Sequence, residues 1–286
     1  MNERSRLSRT AEIMGTVVSV HAIAAGSADP QAEARVAAAA DAAFEDLRDA
    51  ERVFSTFRPD SEISRLRDGS LDAALADPRI EEVRRACLRA ETETSHRFSA
   101  AWRGWFDPTG YVKGWAAAGA FDRHLRSLLD EPAIAAVGIN AGGDMQLATA
   151  ASADWEWRVG IADPLRPGAL LATVQLRNGA VATSGSAERG AHILDPRTGL
   201  AAHGAVSATV VAERLVDADV WATAAVVAGI EDLGWIGAAA HTRGVIVGAD
   251  GRTRRWASGV EWAAADRAAL DSAALGGVGI DGARHR

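Results

Sequence analysis

A change in hydrophobic periodicity near residue 130 most constrains how this chain can fold. Before it, apolar residues recur at helical spacing, as in residues 29–50, where Val36, Phe44 and Leu47 fall on one face. After it, short β-branched runs alternate with glycine-containing turns, as in residues 134–139 and 206–211. Helices in the first half and hairpin-linked strands in the second predict an α+β fold. We expect a mainly antiparallel sheet with flanking helices, rather than a doubly wound parallel sheet.

Local signals divide the chain further. Residues 11–24 are predicted to be β-rich, Ser61 to cap a short helix, and Asn178-Gly179 and Asp250-Gly251 to close two hairpins. Further helices are predicted at residues 79–95, 115–129 and 219–230, and a strand at 157–161. We expect an N-terminal extension (1–10), one domain (11–258) and a C-terminal helix with a frayed tail (259–286).

Composition and charge exclude several classes of function. The net charge of −7 over 286 residues argues against a nucleic-acid or membrane-surface partner, since both require a concentrated basic face. No apolar run reaches the roughly 18 residues of a membrane-spanning helix. Cys87, the only cysteine, excludes a disulfide framework and a cysteine-rich metal site. Because no apolar segment follows the charged N-terminus, we expect a cytoplasmic protein without a membrane anchor.

Lys113 is the only lysine among 31 lysine and arginine residues. A solitary ammonium in an arginine-rich chain suggests a position that needs a compact point charge, which phosphate oxygens accept well. The carboxylate of Asp107 lies six residues upstream, and Gly110 allows a close backbone approach between them. The alternative is an ordinary exposed lysine in a turn that leads into a helix.

Asp219 and Thr223 are spaced i, i+4, so their oxygens face the same side of a helix. A carboxylate and a hydroxyl form part of the all-oxygen shell that Mg²⁺ accepts when phosphates and waters complete it. The alternative is that Asp217 or Asp219 only caps the helix N-terminus.

The segment from Thr183 to Gly199 is unusually polar and contains His192, whose imidazole could take a proton from a hydroxyl nucleophile. In the alternative interpretation, His192 is a core side chain beside a turn at residues 195–199. Gly142-Gly143-Asp144 is a weak signal, and no Walker A or GxSxG motif occurs. The nine tryptophans are expected in the core and at its rim rather than in a stacking platform.

Taken together, these motifs resemble the ApbE family of flavin transferases over roughly residues 11–258. The matching segments, in order, are Met14-Gly15-Thr16, residues 54–64, residues 107–114, residues 140–144, residues 158–164, residues 182–185, residues 192–199, and Ala218-Asp219 with Thr223. Each motif alone is weak, but eight of them in unbroken order are specific.

The resemblance implies an enzyme that cleaves the diphosphate of FAD with Mg²⁺. It would transfer FMN to a threonine or serine hydroxyl of a target protein and release AMP. Carried over by position, the cofactor-binding residues are Met14, Phe57, Phe98, Asp107, Lys113, Thr183 and Ile193. The metal ligands implied in the same way are the Gly110 carbonyl, Asp219 and Thr223, and His192 is the candidate that activates the incoming hydroxyl.

The chain also departs from the family pattern. Phe57 stands where tyrosine is common, residues 96–99 replace a Gly-Ala-Phe-Asp block, and Ala118 replaces a frequent aspartate. The loop between residues 99 and 107 is nearly absent, which opens the side of the cleft expected to hold adenine. Two other functions therefore stay open: Mg²⁺-dependent hydrolysis of FAD to FMN and AMP, and FAD binding without catalysis.

Overall fold

The computed structural model describes residues 5–27, 30–185, 193–258 and 260–262. The strands are β1 (Arg6–Ile13), β2 (Thr16–Ala24), β3 (Ile134–Ala141), β4 (Asp144–Thr149), β5 (Trp157–Ala162), β6 (Leu170–Leu176), β7 (Gly179–Gly185), β8 (Leu194–Asp195), β9 (Leu200–Ala201), β10 (Ser207–Ala212), β11 (Arg243–Val247), β12 (Thr253–Ala257) and β13 (Val260–Trp262). The α-helices are α1 (Pro30–Phe54), α2 (Glu62–Asp68), α3 (Pro78–Glu93), α4 (Thr109–Ala120) and α5 (Leu215–Ala228).

Nine of these strands form one sheet in the order β1-β2-β3-β4-β7-β10-β11-β12-β13. Every neighbouring pair is antiparallel. Helices α1, α4 and α5 cover one face of the sheet, and their apolar residues share one core with the alanines and valines beneath them. The predicted α+β class, an antiparallel sheet with flanking helices, is confirmed.

The opposite face of the sheet is covered by a separate pair of strands, β5 and β6. Trp157, Val159 and Leu176 from this pair pack against Val181 and Val211 of the large sheet. Strand β10 is therefore covered on both faces, and all six of its residues are buried. Its two polar residues, Ser207 and Thr209, are therefore buried along with its apolar ones.

The hairpin predicted at Asn178-Gly179 is wrong. Strand β6 pairs with β5, whereas β7 pairs with β4 and β10, so the dipeptide carries the chain from one sheet to the other. Gly179 has a φ of 132°, and a Cβ at this position would lie 2.9 Å from the Ala212 carbonyl oxygen. The glycine is needed for close strand packing rather than for a type I′ turn. The second hairpin, at Asp250-Gly251, joins β11 to β12 as predicted.

Three boundaries differ from their predictions. Residues 6–10, expected to form part of an extension, belong to β1, which pairs along its whole length with β2. Helix α4 begins at Thr109 rather than at residue 115, and it continues into a π-helical turn (Phe121–Leu125) and a 3₁₀ turn (Arg126–Asp130). Helix α5 begins at Leu215, four residues before the predicted start.

Much of the predicted C-terminal helix and tail (259–286) lies outside the described residues, apart from β13. In the part of the chain that the structure describes, no helix has the length and apolarity needed to cross a bilayer. Helix α5 is nevertheless almost entirely buried, with Leu215, Ala222 and Val226 in the core. A helix that is apolar on nearly every side belongs in the interior of a protein, and α5 packs against both the sheet and α4.

Candidate functional site

The candidate site is centred on the contact between α4 and α5, where Gly114 brings the two helices close together. A Cβ on Gly114 would lie 3.2 Å from the Asp219 Oδ2 atom and equally close to the Val216 Cα atom. A larger residue would push the helices apart. Lys113, next to this glycine on α4, therefore lies within reach of Asp219 on α5.

The Lys113 ammonium lies between two buried carboxylates. Its Nζ atom donates to Asp219 Oδ2 at 3.1 Å and to Asp144 Oδ2. The side chains of Asp144 and Asp219 are only 7% and 11% exposed, and that of Lys113 is 22% exposed. Sequence analysis predicted Lys113 and Asp219 as site residues but not Asp144. The alternative of an ordinary exposed lysine is excluded.

These three charged groups shift one another's pKa values. Burial alone would lower the pKa of Lys113, but the carboxylates of Asp219 and Asp144 outweigh it and raise that pKa above its usual range. Burial, together with repulsion from Asp219, raises the pKa of Asp144 to about 6, although the Lys113 ammonium partly offsets this. With both carboxylates ionised, the cluster carries one net negative charge.

Neither Asp217 nor Asp219 caps α5, so the capping alternative is wrong. The N-cap position is Arg214, without a side-chain cap, and Asp219 lies a full turn inside the helix. Asp217 is exposed, whereas Asp219 is turned toward α4. The partner of the Asp219 carboxylate is therefore the Lys113 ammonium and not the N-terminus of α5.

Strand β7 supplies two hydroxyl residues that point to opposite faces of the sheet. The Ser184 hydroxyl lies 3.1 Å from the Thr223 Oγ1 atom of α5, on the helix-covered face. The Thr183 hydroxyl instead lies 2.8 Å from Thr209 Oγ1. Thr183 reaches the charge cluster only through its backbone N–H, which donates to Asp144 Oδ1 at 2.9 Å. Sequence analysis named Thr183 and missed Ser184, because only strand pairing shows which of two adjacent side chains faces the helices.

Asp107 organises the N-terminal end of α4. Its carboxylate is buried, and Oδ1 accepts from the Thr109 N–H at 3.1 Å and from the Thr109 hydroxyl at 2.6 Å. Its other oxygen, Oδ2, lies 3.6 Å from the Arg103 Nε atom. Gly110 lies in the first turn of this helix rather than in a glycine turn, one helical turn before Gly114. The role of its carbonyl as a metal ligand stays a prediction.

The other predicted cofactor residues differ widely in exposure. The Phe57 ring is 84% exposed, and the neighbouring Thr56 hydroxyl lies 3.2 Å from that of Thr109, so this segment adjoins the start of α4. Met14 occupies the β1–β2 turn with a φ of 55°, and its N–H donates to Glu51 Oε1 at 3.0 Å. Phe98 is only 4% exposed and packs near the Tyr111 ring, which leaves little of it for a ligand.

Ile193 is partly buried against the main core, and its carbonyl accepts from the Ala202 N–H at 2.9 Å. His192, the predicted base, lies outside the described residues. Within the described ranges, no three histidine, cysteine, aspartate or glutamate side chains are grouped as a metal site. The oxygen ligands available are instead the carboxylates of Asp144 and Asp219, which contact Lys113, and the paired hydroxyls of Ser184 and Thr223. Thr223 lies one helical turn after Asp219 on α5. Their chemistry fits a hard cation such as Mg²⁺.

A sequence comparison with known families decides what kind of protein this is. The sequence profile of the ApbE family matches residues 14–109 and 103–246, which is most of the chain. The chain belongs to the ApbE family. The resemblance inferred from the motifs is thereby confirmed.

Curated relatives with the name FAD:protein FMN transferase match part of this ApbE-family chain. The protein from Salmonella typhimurium is 32% identical over 118 residues, which cover 38% of this chain and 34% of the relative. The protein from Rhodobacter capsulatus is 37% identical over 142 residues, which cover 45% of this chain and 27% of the relative. The chain thus spans about a third or less of the length of these relatives.

Solved structures of ApbE proteins share the fold. The ApbE protein of Thermotoga maritima superposes with a TM-score of 0.72 at 22% identity, covering 88% of this chain and 97% of that one. The apo form of the flavinyl transferase ApbE from Pseudomonas stutzeri gives 0.68 at 18% identity, with coverages of 90% and 96%. Since nearly the whole length of each structure is matched, this ApbE chain shares their fold.

Proposed function

We propose that this chain is a Mg²⁺-dependent FAD:protein FMN transferase. The observation that carries the proposal is the Lys113 ammonium, half-buried between Asp144 and Asp219 where α4 meets α5. An ammonium has three N–H donors, and the two carboxylates use two of them. The third has no partner among the described residues and can bind an anionic oxygen, such as those of the FAD diphosphate. The curated relatives carry the same activity in their names.

The residues divide the work of phosphoryl transfer among them. Asp219, Thr223 and the Gly110 carbonyl would hold Mg²⁺, and the Ser184 hydroxyl, 3.1 Å from that of Thr223, would support this set. When bound, the ion neutralises charge on the diphosphate. Lys113 binds a phosphate oxygen and is itself oriented by Asp144, whose other oxygen is fixed by the Thr183 N–H. Phosphoryl transfer depends mainly on such positioning and charge neutralisation.

The reaction joins a protein hydroxyl to the FMN half of FAD. The threonine or serine oxygen of the target attacks the phosphorus on the FMN side, and a P–O bond to the bridging oxygen breaks. AMP leaves, and the hydroxyl proton passes to a base, for which His192 remains our candidate. Met14, Phe57 and Ile193 are proposed to contact the flavin half, and Asp107 the sugar and diphosphate. Because Phe98 is buried and the Thr183 hydroxyl pairs with Thr209 on the other face of the sheet, neither side chain is proposed to contact the ligand directly.

The test is incubation with FAD, Mg²⁺ and candidate flavoproteins encoded nearby, followed by intact-mass measurement of the acceptor. The expected result is a covalent FMN increment together with AMP release. Asp219→Ala should abolish both, whereas Asp217→Ala, an exposed carboxylate on the same helix, should keep at least half of the activity.

Each other outcome overturns part of the proposal. AMP release without an increment on any acceptor indicates hydrolysis of FAD instead of transfer. Intact FAD after prolonged incubation with Mg²⁺ indicates binding without catalysis. Full activity of Asp219→Ala would show that the metal assignment is wrong.

A further inference from the structure

The turn that ends α3 places two adjacent residues in a left-handed conformation. Ser95 and His96 have φ values of 51° and 59°, which cost residues other than glycine conformational free energy. The buried Thr94 hydroxyl holds this turn, since it accepts from the Phe98 N–H at 3.1 Å. The strained backbone therefore lies directly before Arg97, within the block that departs from the family pattern.

Arg97 is a buried arginine with an incomplete set of hydrogen bonds. Its side chain is only 11% exposed, and its Nη2 atom donates to Asp232 Oδ2 at 2.6 Å. Its Nη1 atom donates to the Thr94 carbonyl at 3.2 Å. The Nε atom is buried and has no partner among the described residues. Burying a cation with an unpaired N–H group opposes folding, so stability alone does not account for an arginine here.

Asp232 connects Arg97 to the hairpin formed by β8 and β9. Its Oδ2 atom lies 4.0 Å from the Arg197 Nη1 atom. Arg197 is in turn paired with Asp195 of β8, whose two carboxylate oxygens accept from its Nε atom at 2.9 Å and its Nη2 atom at 2.8 Å. On the other side, the Asp232 carbonyl accepts from the indole N–H of the core residue Trp235 at 2.9 Å. We call Arg97, Asp232, Arg197 and Asp195 the ion network.

The β8–β9 hairpin is too short to fix its own position. Each strand has two residues, and among the described strands β8 pairs only with β9. A two-stranded hairpin is at best marginally stable alone. In the part of the chain that the structure describes, its polar side chains reach the rest of the fold through Asp232. Ile193, directly before β8, is the side chain proposed to contact the flavin, so a shift of the hairpin moves that contact.

We propose that Arg97 and Asp232 are positioning residues, which hold the β8–β9 hairpin where Ile193 contacts the flavin half of FAD. The proposal rests on the proposed function for the assignment of Ile193. Neither residue touches the ligand, and both act through Arg197 and Asp195. The ion network joins two guanidinium groups and two carboxylates, so it fixes the hairpin without adding net charge. This role accounts for the strained turn and for a buried guanidinium that packing does not require.

The first measurement separates positioning from stability. Arg97→Met replaces the guanidinium with an apolar side chain and leaves Asp232, which is 40% exposed, to water. The melting temperature should therefore stay within about 3 °C of wild type. Hydrogen exchange of the Gly199 and Ala202 amides, which close the hairpin, should nevertheless become at least about fivefold faster. Asp232→Asn keeps the shape of the side chain and removes its charge, so it should have the same effect.

The second measurement is ligand affinity. Calorimetry without Mg²⁺, so that no turnover occurs, gives dissociation constants for FAD, FMN and AMP. In both variants FAD and FMN should bind about fivefold more weakly and AMP less than about twofold more weakly, because only the flavin half meets the hairpin. Arg97→Lys retains a cation for Asp232 and should lose less affinity than Arg97→Met. The matched control is Arg35→Met, which breaks an exposed ion pair with Glu131 and should change neither affinity nor exchange.

Equal losses for FAD, FMN and AMP, or flavin affinity at the wild-type level in variants with faster exchange, would overturn the positioning role. Hairpin exchange at the wild-type rate in both variants would overturn it as well. If Arg97→Met does not fold, Asp232→Asn decides between these outcomes. A wild-type protein that binds FAD and FMN but transfers no FMN to any acceptor overturns the proposed function alone, whereas one that binds no flavin overturns both.

Discussion

Two buried polar residues on β4, Asp144 and Gln146, lie two positions apart on the same face and have opposite roles. Gln146 accepts from the Leu215 N–H at 2.8 Å and donates to the carbonyls of Glu213 at 3.0 Å and Gly179 at 3.2 Å. Both hydrogens of its amide group and its oxygen are thus paired with the backbone. Gln146 is neutral and fully satisfied, and it fixes the start of α5 to the sheet.

Asp144 is paired mainly with another charge. It contacts Lys113 and lies near Asp219, and its raised pKa shows that its environment disfavours the ionised carboxylate. The difference teaches that burial alone does not distinguish a structural polar group from a functional one. A saturated neutral group stabilises the fold, whereas a cluster of charges with a free N–H donor is available to a ligand.

The largest effect is expected from removing the Lys113 ammonium, which contacts Asp144. Lys113→Met should lower the rate of FMN transfer by at least about 100-fold, a loss of about 3 kcal/mol of transition-state stabilisation. Initial rates follow from the covalent fluorescence of the acceptor under denaturing conditions. Lys113→Arg is the matched control: it keeps the charge but should also impair transfer, because a planar fork does not fit between two fixed carboxylates. Wild-type rates in both variants would reduce Lys113 to a structural residue.

Removing the Gln146 amide should affect stability instead of chemistry. Gln146→Leu removes the partner of the Leu215 N–H and of the Glu213 and Gly179 carbonyls, which should lower the free energy of unfolding by about 2–4 kcal/mol. Urea denaturation measures this loss, and the transfer rate per folded molecule should stay within about twofold of wild type. A comparable loss of transfer in a folded Gln146→Leu protein would remove the distinction between the two residues.

The raised pKa of Asp144 predicts a pH dependence of stability. Because the native pKa is about 6 and the ordinary value is 3.8, the native state binds this proton more tightly than the unfolded state. The contribution of protonated Asp144 to the free energy of unfolding is therefore complete below about pH 4 and is lost as the pH rises through 6. Two units at 1.36 kcal/mol each amount to about 3 kcal/mol.

Asp144→Asn tests this, since asparagine does not titrate. The free energy of unfolding of wild type, relative to that of the variant, should fall by up to about 3 kcal/mol between pH 4 and pH 7. Urea denaturation of both proteins at each pH unit provides the comparison. Parallel stability curves would show that Asp144 is ionised in the native state throughout this range.

The smallest effect concerns the two adjacent hydroxyls of β7. Ser184→Ala removes the hydroxyl beside Thr223 and should slow transfer by about tenfold, or about 1.4 kcal/mol. Thr183→Val removes the hydroxyl that pairs with Thr209 on the other face and should change the rate less than twofold. Rates measured at saturating FAD and Mg²⁺ compare the two. The reverse order of effects would mean that the strand register does not determine which residue serves the site.

The fold class could be predicted from the sequence because helix and strand periods are local properties. The spacing of Asp219 and Thr223 and the isolation of Lys113 are local as well, and the structure brings Lys113 into contact with Asp219, while the roles of these residues stay predictions. The pairing of β7 with β4 is not local, and the same Asn-Gly signal that often closes a hairpin here links two sheets. Asp144 and Ser184 were missed for this reason: their importance depends on which strands and helices become neighbours.

The contacts of Lys113 span 31 residues to Asp144 and 106 residues to Asp219. A nascent chain that ends before α5 has an ammonium and one carboxylate but lacks the helix that completes the cluster. If the diphosphate binds at Lys113 as proposed, its tight recognition must wait until synthesis has passed α5 and the central strands have paired. Cellular FAD would then stabilise finished molecules and leave truncated ones without that protection.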